Sequence, residues 1–184
     1  MKRGILFALI TPLMVVHSGC SRDVDPTLVQ SVDSLITKME AANLTLNELD
    51  VEQYHEANVL FERSKVDFIQ RFGDTLDRPT SNTLATQYNL LNTAAAMAED
   101  HIAVHNAVSQ SVDRLNALRS DLTNGVLQTE KAAEAVGNEN FVSTELLNMV
   151  HTVLDNYQAT QRAIAQQPQV DTLLAQRANT DLRK

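Results

Sequence analysis

The sequence predicts an all-α protein, an elongated antiparallel bundle of about three to five helices with coiled-coil-like seams. Three observations carry that expectation. Gly and Pro are scarce, 5 and 4 in 184 residues, whereas an antiparallel sandwich or barrel needs a turn signal about every 8–12 residues. Apolar residues recur at alternating steps of three and four along most of the chain, which is the spacing of one helix face. No stretch shows a strand's alternation strongly enough to compete with that helical signal.

Asp25-Pro26 reads as an N-cap followed by Pro at the first helical position. Leu28, Val32, Leu35, Met39, Ala42, Leu46 and Leu49 then line one face. Around Asn43 to Glu48 the pattern allows a continuous helix or a break in which Thr45 and Glu48 form a capping box. The break is preferred, because Asn43-Leu44-Thr45 is weak helix material beside Ala41-Ala42. Next come Tyr54, Phe61 and Phe68 at heptad spacing, with Val51, Leu60, Ile69 and Phe72 beside them, and Gly73 offers a left-handed position past a helix end. At this spacing an aromatic stripe is core rather than the lining of a ligand groove. Gly73 to Ser81, with Pro79, is the clearest interhelical loop.

From Asn82 a second pattern runs through Leu84, Tyr88, Leu91, Ala95, Ala98, Ile102, His105, Val112, Leu115 and Leu122 to Asn124-Gly125. Unbroken, it is about 40 residues and roughly 60 Å long at about 1.5 Å per residue. The Ala-rich stretch Thr93 to Ala98 predicts close approach of a neighbouring helix. Val126 to Val136 is again helix-like, and Gly137-Asn138-Glu139-Asn140 reads as a turn. Val142, Leu146, Met149, Val150, Val153, Leu154, Tyr157 and Ile164 mark a last principal helix, which Gln166-Gln167-Pro168 interrupts. The bundle is therefore expected over residues 27–165, and 166–184, with Val170, Leu173 and Leu174, as a short helix or frayed tail.

A single cysteine excludes internal disulfides and a cysteine-based structural zinc site. The formal charge is −8, from 15 basic and 23 acidic residues. Such a surface repels phosphates and gives no footprint for nucleic acid.

The lone cysteine has a telling place. Lys2 and Arg3 precede an apolar run from Ile5 to Val16, too short to cross a bilayer, which needs about 20 residues as a helix. The run has the length of a signal-peptide core and closes in His17-Ser18-Gly19-Cys20. Residues 1–20 resemble a bacterial lipoprotein signal: Ser18, Gly19 and Cys20 match the lipobox, while His17 stands where Leu is usual. The resemblance implies cleavage before Cys20, a signal peptide over 1–19, lipidation of Cys20 and a short tether over 20–26. Ser21 after the cysteine resembles outer-membrane sorting rather than inner-membrane retention. Two or more acyl chains, at about 0.8 kcal/mol per buried methylene, make a stable anchor. Cleavage would remove two bases and no acid, so the charge moves from −8 to −10 and leaves no polybasic contact with anionic lipid.

Candidates for chemistry are few. His101 and His105 are four apart, stacked on one helix face, a spacing that presents two imidazoles to one ion. Glu99 and Asp100 are nearby, but a metalloprotease would need Glu where Ile102 stands. Two ordinary polar positions, with His105 near the seam, are the preferred reading. Glu52 and His55 form the Glu-x-x-His pair of di-iron bundles, which need it twice, and neither His101, His105 nor His151 supplies a second. There is no Gly-x-Ser-x-Gly elbow and no Gly-rich phosphate loop. No catalytic residue, metal or cofactor is assigned.

These readings lead to a non-enzymatic, membrane-anchored lipoprotein of the bacterial cell envelope, facing the periplasm or the cell surface. It is expected to serve as a structural or protein-interaction module with an envelope protein as partner. The alternative is a ligand- or metal-binding bundle using His101, His105, His55 and Glu52. Homo-oligomers are compatible with the same seams, while the turns at Gly73 to Ser81 and Gly137 favour an intramolecular core.

Overall fold

The computed structural model describes residues 25–71 and 78–181. Among these residues there are four helices and no strand: α1 (Pro26–Asn47), α2 (Glu52–Arg71), α3 (Arg78–Thr123) and α4 (Thr129–Asp181). The protein is an all-α helical bundle, as the periodicity predicts. α3 and α4 form a long antiparallel hairpin. α1 and α2 follow one another along it, packing on α3 and α4 but not on each other. Asp33 pairs with Arg119, and Leu46 lies against His101, so α1 runs antiparallel to α3. Ser64 meets Gln167 and Asp50 meets Tyr157, so α2 runs parallel to α4. In cross-section the bundle is three helices, one of which is interrupted. With 46 and 53 residues, α3 and α4 span roughly 70 and 80 Å at about 1.5 Å per residue.

α1 starts where local chemistry says it should. The Asp25 carboxylate accepts from the Thr27 N–H at 2.8 Å and the Thr27 hydroxyl at 2.7 Å, and Pro26 occupies the first turn. Val32, Leu35, Ile36, Met39, Ala42 and Leu46 are buried. The break that follows lies later than Asn43, and the Thr45–Glu48 capping box is not formed. Thr45 is helical and its hydroxyl donates back to the Ala41 carbonyl at 2.9 Å. A capping box needs an extended Thr45, which would pull Leu46 out of the core. The helix instead closes when the Glu48 N–H bonds the Leu44 carbonyl at 3.1 Å. Asp50 then caps α2, its carboxylate accepting from the Glu52 N–H at 3.1 Å. The joint between α1 and α2 is residues 48–51.

α2 buries Tyr54, Ala57 and Phe61. Phe68 and Ile69 lie on α2 but their side chains are outside what the structure describes, and Phe72 and Gly73, placed by the sequence pattern at the same end, lie outside the described residues. The loop expected over Gly73 to Ser81 is shorter at its end, because Arg78 to Ser81 already belong to α3 and Pro79 sits in its first turn, where a missing N–H costs nothing. Leu84, Gln87, Leu91, Ala94, His101, Val104, Val108, Ser111, Leu115, Leu118 and Leu122 face inward along α3. Ala94 packs with Ala57 and Ala163, the close approach that the Ala-rich stretch predicts. α3 ends as expected: Gly125 takes φ 65°, its N–H bonds the Leu122 carbonyl at 3.1 Å, and the Val126 N–H reaches back to Asp121 at 3.0 Å.

Two expectations for the last third of the chain are corrected. Neither the turn at Gly137-Asn138-Glu139-Asn140 nor the interruption at Gln166-Gln167-Pro168 occurs, and α4 passes through both. Gly137 costs only about 1 kcal/mol relative to Ala in a helix, and Ala132, Val136, Ser143 and Leu146 hold a single buried stripe across it. Pro168 is anchored on either side by buried Gln167 and Val170. Residues 166–174 are thus part of the bundle rather than a separate tail, with Val170 and Leu174 packed near Leu84. One apolar cluster joins α1, α3 and α4, a smaller one joins α2, α3 and α4, and a third joins α3 and α4 alone.

Candidate functional site at the helix joint

Between these clusters, at the level where α1 gives way to α2, the interior turns polar and aromatic. Ending one helix and beginning another leaves carbonyls of α1 and N–H groups of α2 without intrahelical partners. α3 and α4 add side-chain partners to the backbone of this stretch. His101 Nε2 lies 3.1 Å from the Leu46 carbonyl, and the Asp50 N–H donates to the Tyr157 hydroxyl at 3.2 Å. Tyr54 stands between them, edge-on to His101 with ring centres 5.9 Å apart and to Tyr157 at 5.8 Å.

Because a carbonyl only accepts, the contact to Leu46 assigns the proton of neutral His101 to Nε2 and leaves a lone pair on Nδ1. His101 is 3% exposed, and burial holds its imidazole below the ordinary histidine range; the Leu46 contact works the other way and the His105 charge adds to the lowering. Tyr54 is 1% exposed and its hydroxyl is pushed up to about 12, by burial first and then by Tyr157. Both groups are uncharged at neutral pH. His101 Nδ1, His105 Nε2, the Tyr54 hydroxyl, Asn43 Oδ1 and Gln53 Oε1 are buried here without a hydrogen-bond partner.

A pocket of about 260 Å³ opens beside the two histidines, walled by Leu46, Asn47, Leu49, Val51 and Ile102. Its rim is apolar, since Ile102 is 59% exposed and Val51 is 50% exposed. A second depression of about 370 Å³, between α3 and α4, is lined by amides, Thr83, Thr86, Val170 and Leu173, and holds no titratable side chain. The joint is where the structure concentrates functional groups.

Of the residues singled out from sequence, His101 and His105 come together at this joint. Glu52 and His55 are exposed on α2 and do not join them as a ligand set. Among the described residues no three His, Cys, Asp or Glu side chains gather as metal ligands. Ser18, Gly19 and Cys20 lie outside the described residues. Tyr54, read from sequence as core, Tyr157, Asn43 and Asp50 are the members that sequence reasoning missed. A hydroxyl at a seam position where Phe would pack equally well is the one local hint.

No helix among the described residues is long and apolar enough to cross a membrane. No protein-family model, curated protein or solved structure matches the chain.

Proposed function

We propose that the protein is a lipid-anchored helical rod of the bacterial cell envelope, a structural or protein-interaction module without catalysis. In this reading the chain is cleaved before Cys20, lipidated there and attached to a membrane, the outer rather than the inner. The observation that carries the proposal is the junction of two features. The cysteine ends a signal-like apolar run, and Asp25 caps the first helix of a roughly 70 Å bundle only a short tether further on. Parallel α1 and α4 put the start of α1 at the same end as the α3–α4 turn. The opposite end, where Arg63 pairs with Asp171 at 3.3 Å, is then farthest from the lipid. A charge of −10 on residues 20–184 opposes lying flat on an anionic leaflet. The rod therefore projects, and offers its flanks and far end to an envelope partner.

Metabolic labelling with a radiolabelled fatty acid, comparing wild type with Cys20→Ala, tests this. The wild type should carry label and sediment with membranes, and the variant should lose both. Label that persists in Cys20→Ala, or a wild type that never acquires it, overturns the proposal.

A further inference from the structure

The unpartnered groups at the joint share a chemistry. Buried polar atoms without partners cost about 1–3 kcal/mol each, and a cluster of them calls for an occupant. His101 Nδ1 carries a lone pair because its other nitrogen is committed to Leu46. Asn43 Oδ1 and Gln53 Oε1 are acceptors by nature. His105 lies one turn along α3 from His101, faces the same pocket, and has its own Nε2 buried and unpartnered. The register that sets Asp33 against Arg119 and Leu46 against His101 brings Asn43 level with His105. Two buried, unpartnered imidazole nitrogens on one pocket, one of them an assigned lone pair, suit a cation better than an apolar ligand or an anion.

We propose that the α1–α2 joint is a metal site, in which His101 Nδ1 and His105 Nε2 bind one imidazole-preferring divalent ion such as zinc, copper or nickel. A metal-bound histidine characteristically donates its second ring N–H to a carbonyl or carboxylate, which fixes tautomer and ring orientation. Leu46 already does this for His101. Spacing of four residues stacks both rings on one side of α3, and both rings line the same pocket. The ion reaches the nitrogens through the pocket between Leu49, Val51 and Ile102. Its remaining positions fall to water and to nearby amide oxygens, with Asn43 Oδ1 the first candidate. Hard cations such as magnesium and calcium, which want oxygen ligands, are excluded by this donor set. The site would tie the end of α1 to α3 more firmly than the single contact to Leu46. It is independent of the lipid anchor.

The test uses the full chain, purified without a polyhistidine tag and stripped with chelator. Zinc, copper and nickel are titrated in separately by calorimetry, and thermal unfolding is followed with and without each ion. The expected result is one ion per chain, copper bound tightest, and a rise in Tm with each ion. His105→Gln, at a half-buried position, should keep the metal-free Tm and lose both binding and the rise. His101→Gln should lose binding too, but it also removes the contact to Leu46, so His105→Gln carries the decision. His55→Gln and His151→Gln should bind like wild type. The wild-type copper EPR spectrum should show nitrogen couplings from two imidazoles, and His105→Gln should show no protein-bound copper signal. A wild type that shows no heat and no change in Tm with any of the three ions overturns the proposal. So does binding that survives in His105→Gln or disappears in His55→Gln.

Discussion

Losing Gln87 and Gln167 together should cost much less than the sum of their separate losses, because each satisfies part of the other. Gln87 is 1% exposed and Gln167 is 4% exposed. Gln87 Nε2 donates to the Ala163 carbonyl at 2.7 Å and to Gln167 Oε1 at 3.1 Å; Gln167 Nε2 donates to Ser64 Oγ at 3.3 Å and Asp171 Oδ1 at 2.8 Å. Gln87→Leu removes two of these bonds, about 1 kcal/mol each, and leaves Gln167 Oε1 buried without a donor, about 1–3 kcal/mol more. Extra apolar burial and the loss of the unpartnered Gln87 Oε1 return about 2 kcal/mol. The net cost is about 2 kcal/mol, and Gln167→Leu should cost a similar amount. The double variant leaves no amide orphaned, and Ser64 can turn its hydroxyl to the carbonyl a turn behind it. It should therefore also cost about 2 kcal/mol, a coupling of about 2 kcal/mol. Urea unfolding followed by far-UV circular dichroism measures all four proteins. If the two single losses add to within about 0.5 kcal/mol in the double variant, the amides are not one network and the reasoning fails.

Gly137→Ala should stabilise the protein by up to about 1 kcal/mol, because the position is helical and exposed and an added Cβ meets nothing within 4 Å; a lower Tm in the variant would mean that α4 does not pass through it. Tyr157→Phe removes the acceptor of the Asp50 N–H at the joint and should cost about 1 kcal/mol in the same urea assay, with no change in m-value; a loss confined to noise would show that water replaces the hydroxyl freely. The Asp25 carboxyl is held below the ordinary range by hydrogen bonds from Thr27, the hydroxyl first and the backbone N–H second. Since its folded pKa is depressed, the cap's contribution is present above the unfolded value and is lost as pH falls through the folded one. Amide exchange at Thr27 and Leu28 should accelerate, relative to the intrinsic rate, over that acid range, and Asp25→Asn should abolish the pH dependence; unchanged protection in acid contradicts the cap.

Local chemistry is enough for the features whose cause is local. Asp25-Pro26 starts α1, and Asn124-Gly125 ends α3, because one carboxylate and one left-handed glycine settle the backbone there. The misread segments share a different cause. Ser143 and Gln167 occupy seam positions on α4, as Gln87 and Ser111 do on α3. Each is a polar letter in an apolar stripe, so beside Gly137 or Pro168 the stripe looks broken when it is continuous in space. Glycine and proline express preferences of about 1–3 kcal/mol, and a helix held on both sides by buried neighbours overrides them. The site shows the same division. The spacing of His101 and His105 is visible in the sequence, whereas the arrival of Tyr54, Tyr157 and Asn43 at the same level depends on how four helices align, which no local signal encodes.

The unbroken passage of α3 and α4 beside the α1–α2 joint has a mechanical consequence. To bend the rod at residues 48–51, two continuous helices would have to buckle, so they act as splints and the gap beside them is not a hinge. Tension applied at the start of α1 and resisted at the far end runs along the helix axis. It loads the α1 seam in shear, so that Val32, Leu35, Met39, Ala42 and Leu46 must leave their places together. Peeling would release them one turn at a time under a much smaller force. The bundle therefore resists tension along its length far better than peeling across it.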